Sequence, residues 1–116
     1  MRVPGKCNQV TTAMNADKVV LSWAEPFTGG QGIGITRYTI QLRNKLGIFS
    51  EYPTMCDGSV TSVYSHQTCE IPMAAITAAS GGLGLVLGDL IVAKVAASNS
   101  KGIGEYSELN IVGEVA

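Results

Sequence analysis

The segment Leu90-Ile91-Val92-Ala93-Lys94-Val95-Ala96-Ala97-Ser98-Asn99 carries the clearest secondary-structure signal in the chain. Apolar residues at positions 91, 93, 95 and 97 alternate with Lys94, Ala96 and Ser98, and successive side chains of a β-strand point to opposite faces. Gly88 and Asp89 precede the segment, and the turn-forming residues 100–104 follow it. The pattern therefore predicts a strand over residues 90–99, with Lys94, Ala96 and Ser98 on its solvent face.

Two earlier segments show the same alternation, over residues 18–23 and 35–43. Weaker strand signals occupy residues 8–14, 48–55, 60–64, 68–71 and 107–115, with residues 48–55 at a sheet edge because of Pro53. Residues 73–79 follow Pro72 and predict a single helical turn. The inward positions predict a core that includes Val19, Leu21, Trp23, Tyr38, Ile40, Leu42, Ile91, Val95 and Ala97.

Length and composition favour one all-β domain over residues 1–116. A chain of 116 residues is the length of a single ordinary domain, and 46% hydrophobic residues can supply its core. Only 15% of the residues are charged and 14 are glycine, which is typical of a fold rich in loops and poor in charged helix faces.

Charge and hydropathy exclude several classes of partner. The formal net charge is −1 and the basic residues form no cluster beyond Arg43-Asn44-Lys45, so we expect no nucleic-acid binding. The most apolar window, residues 83–97, is too short for a membrane helix and is interrupted by Lys94 and other polar residues. Residues 2–4 are not followed by an apolar run, so we expect no signal peptide in this chain.

Three cysteines, Cys7, Cys56 and Cys69, allow at most one internal disulfide. We predict that Cys56 pairs with Cys69, because the turn signal Asp57-Gly58 lies between them and a fold-back would bring them within bonding distance. Two buried reduced thiols are the alternative. Cys7 is expected outside the pair, either in contact with a neighbouring chain or module or as a buried free thiol.

No residue pattern points to catalysis or to a cofactor. His66 and Cys69 are three apart, which places them on opposite faces of a strand and argues against a nucleophile pair. The glycine-rich residues 29–34 are followed by a predicted strand instead of the helix that a phosphate site needs. The carboxylates are scattered, and Asp89 lacks the spacing of a calcium loop. We therefore expect no catalytic, cofactor or metal site.

The order of several motifs resembles a fibronectin type III domain across residues 3–115. These motifs are Leu21-Ser22-Trp23 with Pro26, then Tyr38-Thr39-Ile40, then Val95-x-Ala97-x-Asn99-x-x-Gly102-x-Gly104-x-x-Ser107. The resemblance implies an immunoglobulin-like Greek-key sandwich of about seven strands in two sheets, anchored by Trp23, Tyr38 and Val95. The chain departs from the family pattern at Ile91, where a tyrosine is usual, and in its long glycine-rich segment 72–88.

The segments around Cys56, Cys69 and Leu87 resemble the variant of this domain that is repeated in large surface proteins of ciliates and similar protists. The resemblance implies a non-enzymatic extracellular or cell-surface module whose partners are other domains of the same protein or other surface or matrix proteins. The alternative is a domain that binds a glycan or peptide through loops 27–34 and 99–106. The candidate contact residues are Phe27, Gly30, Gln31, Ser100, Lys101 and Tyr106.

Overall fold

The computed structural model describes residues 2–28, 30 and 34–116, which form two antiparallel sheets. One sheet has the strand order β1-β2-β5 and the other the order β4-β3-β6-β7. The strands are β1 (Thr11–Asn15), β2 (Lys18–Ser22), β3 (Arg37–Arg43), β4 (Phe49–Glu51), β5 (Thr68–Pro72), β6 (Ala93–Asn99) and β7 (Gly102–Ile103), and the helices are α1 (Thr61–Tyr64) and α2 (Met73–Thr77). The prediction of an all-β sandwich is confirmed.

The core lies between the inner faces of the two sheets. All nine residues that the alternation placed in the core are buried there. Trp23 packs edge-to-face against Tyr38, with ring centroids 5.3 Å apart and an angle of 70° between the rings. Ile91, at the position where the family usually has a tyrosine, is fully buried and adds aliphatic surface to the same core.

Two predicted strands are wrong. Residues 60–64 form helix α1, because the carbonyl of Val60 accepts the N–H groups of Val63 and Tyr64. Residues 107–115 form no strand. Beside β6 the side chains of Ser107 and Asn110 take the place of strand carbonyls, and they accept the N–H groups of Val95 and Ala93 at 3.1 and 2.9 Å.

The exposure of one residue and the bounds of several strands also differ from the prediction. Ala96 shares the outer face of β6 with Lys94 and Ser98 but is fully buried, and it stands opposite Thr39 in the register of β3 and β6. The strand predicted from residue 90 begins at Ala93, and the one predicted over residues 48–55 is limited to β4. Pro53 follows β4 and lacks the N–H that a continued strand would need.

Strands β3 and β6 are the longest of the described strands, with seven residues each, and the molecule has principal extents of 44 × 24 × 23 Å. Because Arg37 pairs with Ser98 and Leu42 pairs with Ala93, the start of β3 and the end of β6 lie together. We call this end the Asn99 end. The opposite end holds the loops that follow Arg43 and precede β6, and we call it the Asp89 end.

A disulfide joins Cys56 to Cys69, as the sequence predicted, with the two Cα atoms 5.8 Å apart. Cys69 lies on β5, an outer strand of the three-stranded sheet. Cys56 lies in a segment that runs beside β3 of the other sheet, where the N–H of Tyr38 donates to the carbonyl of Gly58 at 3.0 Å. The bond therefore links the two sheets along one open side of the sandwich.

Of the two states expected for Cys7, the structure has the buried free thiol. Cys7 is only 3% exposed and belongs to the core. The first strand begins only at Thr11, and in the segment before it the side chains of Pro4, Cys7 and Val10 are buried while Lys6, Asn8 and Gln9 are exposed. Burial raises the pKa of the Cys7 thiol to about 11, and it therefore stays protonated at neutral pH.

Candidate interaction surfaces

The Asn99 end is organised by one buried amide side chain. Asn99 Nδ2 donates to the backbone carbonyls of Arg2 and Thr28, both at 2.8 Å. Its Oδ1 accepts the N–H of Lys101, also at 2.8 Å. Asn99 thereby connects three segments by hydrogen bonds: the first residues of the described chain, the loop after Trp23 and the turn after β6. It was not among the residues predicted to form a site, although an asparagine at a strand end before a turn is a signal for this role.

Most of the predicted contact residues within the described part of the chain lie at this end. Phe27 is 52% exposed, and the Arg2 guanidinium carbon lies 5.1 Å from the centre of its ring. Ser100 and Lys101 are exposed on the turn after β6, and Gly30 is partly exposed. Gln31 lies outside the described residues. Loop residues from two distant parts of the sequence are thus brought together around Asn99.

Tyr106 does not lie with them, and its assignment to this loop end is corrected. The N–H of Ser107 donates to the carbonyl of Val95, so the chain after β7 runs back along β6 and carries Tyr106 to the middle of the sheet. There the Lys94 ammonium lies 4.8 Å from the centre of the Tyr106 ring and 4.9 Å from that of Phe49. Partial burial, and secondarily the negative charge of Glu51, raises the pKa of Tyr106.

These side chains belong to the outer face of the four-stranded sheet, which presents cations beside aromatic rings. Arg37 forms an ion pair with Glu51 at 3.3 Å, while Arg43 stands opposite Phe49 in the register of β3 and β4. The sequence showed no basic cluster, because Arg37, Arg43 and Lys94 are brought to one face only by strand pairing. The arrangement suits contact with a protein surface, where ring faces and hydrogen-bond donors are used together.

The residues weighed for nucleophilic chemistry are not arranged for it. Cys69 is bonded to Cys56 in the disulfide and therefore has no thiolate that could act as a nucleophile. His66 is exposed just after α1, with Nδ1 3.0 Å from the carbonyl of Ser62 and 3.1 Å from the hydroxyl of Ser65. Cys7 is buried with a raised pKa. None of the three forms a nucleophile and base pair with another of them.

Asp89 has a structural role at the other end of the molecule. Its carboxylate accepts the N–H of Val86 at 2.9 Å and pairs with the Lys45 ammonium at 2.9 Å. These two partners hold the pKa of the Asp89 carboxyl below its ordinary value, the backbone hydrogen bond first. Within residues 2–28, 30 and 34–116, no three side chains of histidine, cysteine, aspartate or glutamate come together as metal ligands.

No helix in the described part of the chain is long and apolar enough to cross a membrane.

Comparison with solved structures places this arrangement of strands among known folds. The sixth fibronectin type III domain of human fibronectin type III domain containing protein 3 aligns over 97% of this chain and 88% of its own length, with a TM-score of 0.59 and 17% identity. The fold is that of a fibronectin type III domain. The prediction from the motif order is thereby confirmed at the level of fold.

Similar domains occur inside longer chains. The twitchin kinase region from C. elegans aligns with 92% of this chain at a TM-score of 0.58 and 22% identity, and the FN1–FN3 domains of chicken CNTN1 align with 92% at 0.55 and 18%. This chain spans 16% and 31% of those two structures. No protein-family model and no curated protein matched. Fibronectin type III domains generally serve as structural or protein-interaction modules and are typically non-catalytic.

Proposed function

We propose that this fibronectin type III domain is a non-catalytic module of a larger extracellular or cell-surface protein, in which it spaces neighbouring domains and contacts other proteins. The observation that carries the proposal is the position of the two terminal segments. Arg2 and Gly5 are bonded at the Asn99 end, and Ala116 is bonded to Gly88 and Asp89 at the other end. A chain passing through this domain therefore enters at one end of β3 and β6 and leaves at the other.

The Cys56–Cys69 disulfide supports the extracellular part of the proposal. Structural disulfides persist in oxidising compartments and are rare in the reducing cytosol. Both sulfur-bearing residues are buried, with exposed fractions of 5% and 7%, which is the environment of a structural bond instead of a redox-active one.

Antibodies raised against the folded domain test both parts. On an immunoblot of the cells that produce it, we expect a band much larger than the 12.1 kDa of this chain. The same antibodies should label intact cells before permeabilisation. A 12 kDa band would contradict the modular part, and labelling only after permeabilisation would contradict the surface location.

A second candidate function is recognition of a glycan or peptide at the Asn99 end, through the loop that contains Phe27 and the turn at Ser100 and Lys101. The observation that favours it is Phe27, whose ring is half exposed beneath Arg2 and next to the exposed turn at Ser100 and Lys101. A glycan array and a peptide library probed with the wild-type chain and with Phe27→Ala test this candidate. Binding that Phe27→Ala leaves unchanged would exclude these loops as the binding site.

A further inference from the structure

A cleft of about 310 Å³ lies beside the Cys56–Cys69 disulfide, lined by residues of the segment 55–63 and of strand β5. This volume is at the small end of the range for ligand pockets, roughly 300 to 1,000 Å³. The cleft therefore suits a single side chain of a protein ligand, whereas a larger molecule would lie mostly outside it. We call it the disulfide cleft.

Three apolar side chains line the disulfide cleft, those of Met55, Val60 and Val63. Val60 is 45% exposed, and the other two are half-buried. Because the removal of apolar surface from water is favourable, an occupant with a hydrocarbon portion gains free energy by covering these side chains.

Two carboxylates line the same cleft, that of Asp57 in the segment before α1 and that of Glu70 on β5. Neither carboxylate forms an ion pair in the part of the chain that the structure describes, and no lysine or arginine is among the residues that line the cleft. The guanidinium of Arg37 is paired with Glu51 instead. The lining therefore carries a charge of −2, which favours a cation and disfavours an anion.

Hydrogen bonds hold both carboxylates and leave part of each one for a ligand. Asp57 Oδ1 accepts the hydroxyl and the N–H of Ser59, at 2.6 and 2.9 Å. These bonds, and to a smaller extent the charge of Arg37, hold the pKa of Asp57 below its ordinary value, so Asp57 is ionised at neutral pH. Glu70 Oε2 accepts the amide of Asn15 at 3.1 Å. The second oxygen of each carboxylate accepts no hydrogen bond from the described residues.

An arginine side chain has the properties that this lining requires. Its methylene groups cover apolar surface while its charged group stays at a polar edge. Its planar guanidinium carries five N–H donors and can meet two carboxylates at once, whereas a lysine ammonium is a compact point charge. Hydrogen bonds between ionised partners are also stronger than those between neutral groups.

We propose that the disulfide cleft receives an arginine side chain that protrudes from a partner protein. The methylene groups of this arginine lie against Val60 and Val63. Its guanidinium donates to the carboxylates of Asp57 and Glu70. The proposal rests on the proposed function as a protein-interaction module, and it adds the site and the chemistry of the partner.

Two blocked tripeptides test the proposal, one with arginine between two glycines and one with citrulline in its place. Citrulline has nearly the size and shape of arginine but carries no charge. Each peptide is titrated into the ¹⁵N-labelled chain, and the amide signals are followed by NMR. We expect the arginine peptide to shift signals of residues 55–70 and to bind with a millimolar Kd, because a single side chain makes the contact. The citrulline peptide should bind about tenfold more weakly, since it loses both charged contacts.

Matched variants separate the charged contacts from the apolar one. Asp57→Asn and Glu70→Gln each remove one charge and nearly keep the shape of the side chain, so each should weaken binding of the arginine peptide about threefold and leave the citrulline peptide unchanged. Val60→Ser should weaken binding of both peptides. Glu105→Gln removes an exposed carboxylate after β7, outside the cleft, and as the control it should change neither peptide. The spectrum of each variant without peptide establishes that it folds.

Four results would overturn the proposal. The two peptides could bind equally, or neither could shift a signal of residues 55–70. The variants Asp57→Asn and Glu70→Gln could both bind the arginine peptide as the wild type does. Glu105→Gln could weaken binding as much as they do, which would reduce the effect to the net charge of the chain. None of these results bears on the size or location of the parent protein, so the modular function is tested separately by the antibodies.

Discussion

Removal of the Cys56–Cys69 disulfide destabilises the domain by an amount that depends on the length of the loop that the bond closes. The two cysteines are 13 positions apart, and a closed loop of that length restricts the unfolded chain by about 3 kcal/mol at 25 °C. The entropy of unfolding for 116 residues is about 0.24 kcal/mol per kelvin. The double substitution of Cys56 and Cys69 by alanine should therefore lower the melting temperature by about 12 °C.

Differential scanning calorimetry of the wild type, the reduced wild type and the double variant measures this effect. The reduced wild type keeps both cysteine side chains, so the difference between its melting temperature and that of the double variant measures the contribution of side-chain packing alone. Thiol titration of the denatured, unreduced chain should count one sulfhydryl, that of Cys7, and the native chain should react slowly because Cys7 is buried. A melting temperature lowered by less than about 4 °C would refute the reasoning from loop entropy.

Three further perturbations test the packing and the electrostatics. Trp23→Ala removes a ring that packs on Tyr38, and denaturant unfolding should show a loss of about 3 to 5 kcal/mol. Gly58→Ala places a methyl group against the Tyr38 carbonyl oxygen and should lower the urea midpoint, whereas the control Gly34→Ala meets no atom within 4 Å and should leave it unchanged. The pKa of Asp89 is lower in the folded chain than its unfolded value of about 4, so ionised Asp89 stabilises the fold above that pH, and this stabilisation is lost as the pH falls further. Asp89→Asn should therefore reduce the fall of the urea midpoint between pH 5 and pH 2.

Alternation of apolar residues predicted the core because each long strand buries one face. Val19, Tyr38 and Val95 are all fully buried, so the register inferred from residue spacing is the one observed. The same reasoning fails for the segment that contains Ser107 and Asn110. Their side chains satisfy the N–H groups of β6 directly, and a periodicity of two cannot reveal a side chain that acts as a backbone acceptor.

Helix α1 and Tyr106 were misassigned because tertiary structure overrides local preference. The β-branched residues of segment 60–64 favour a strand in isolation, but this segment lies inside the loop that the disulfide closes and pairs with no strand. The position of Tyr106 depends on the register of the chain after β7, which the sequence does not show. The exposed leucines at the Asp89 end did leave a signal, because Leu46 and Leu87 each precede a glycine with a positive φ.

The disulfide between the two sheets also limits how far this domain extends under mechanical load. Residues 57–68 remain inside the closed loop when the rest of the chain is pulled straight. Thirteen residue steps span about 45 Å when extended, while the bond holds their ends 5.8 Å apart. The oxidised chain therefore reaches roughly 40 Å less than the reduced chain. Reduction of this one bond alone would release that length.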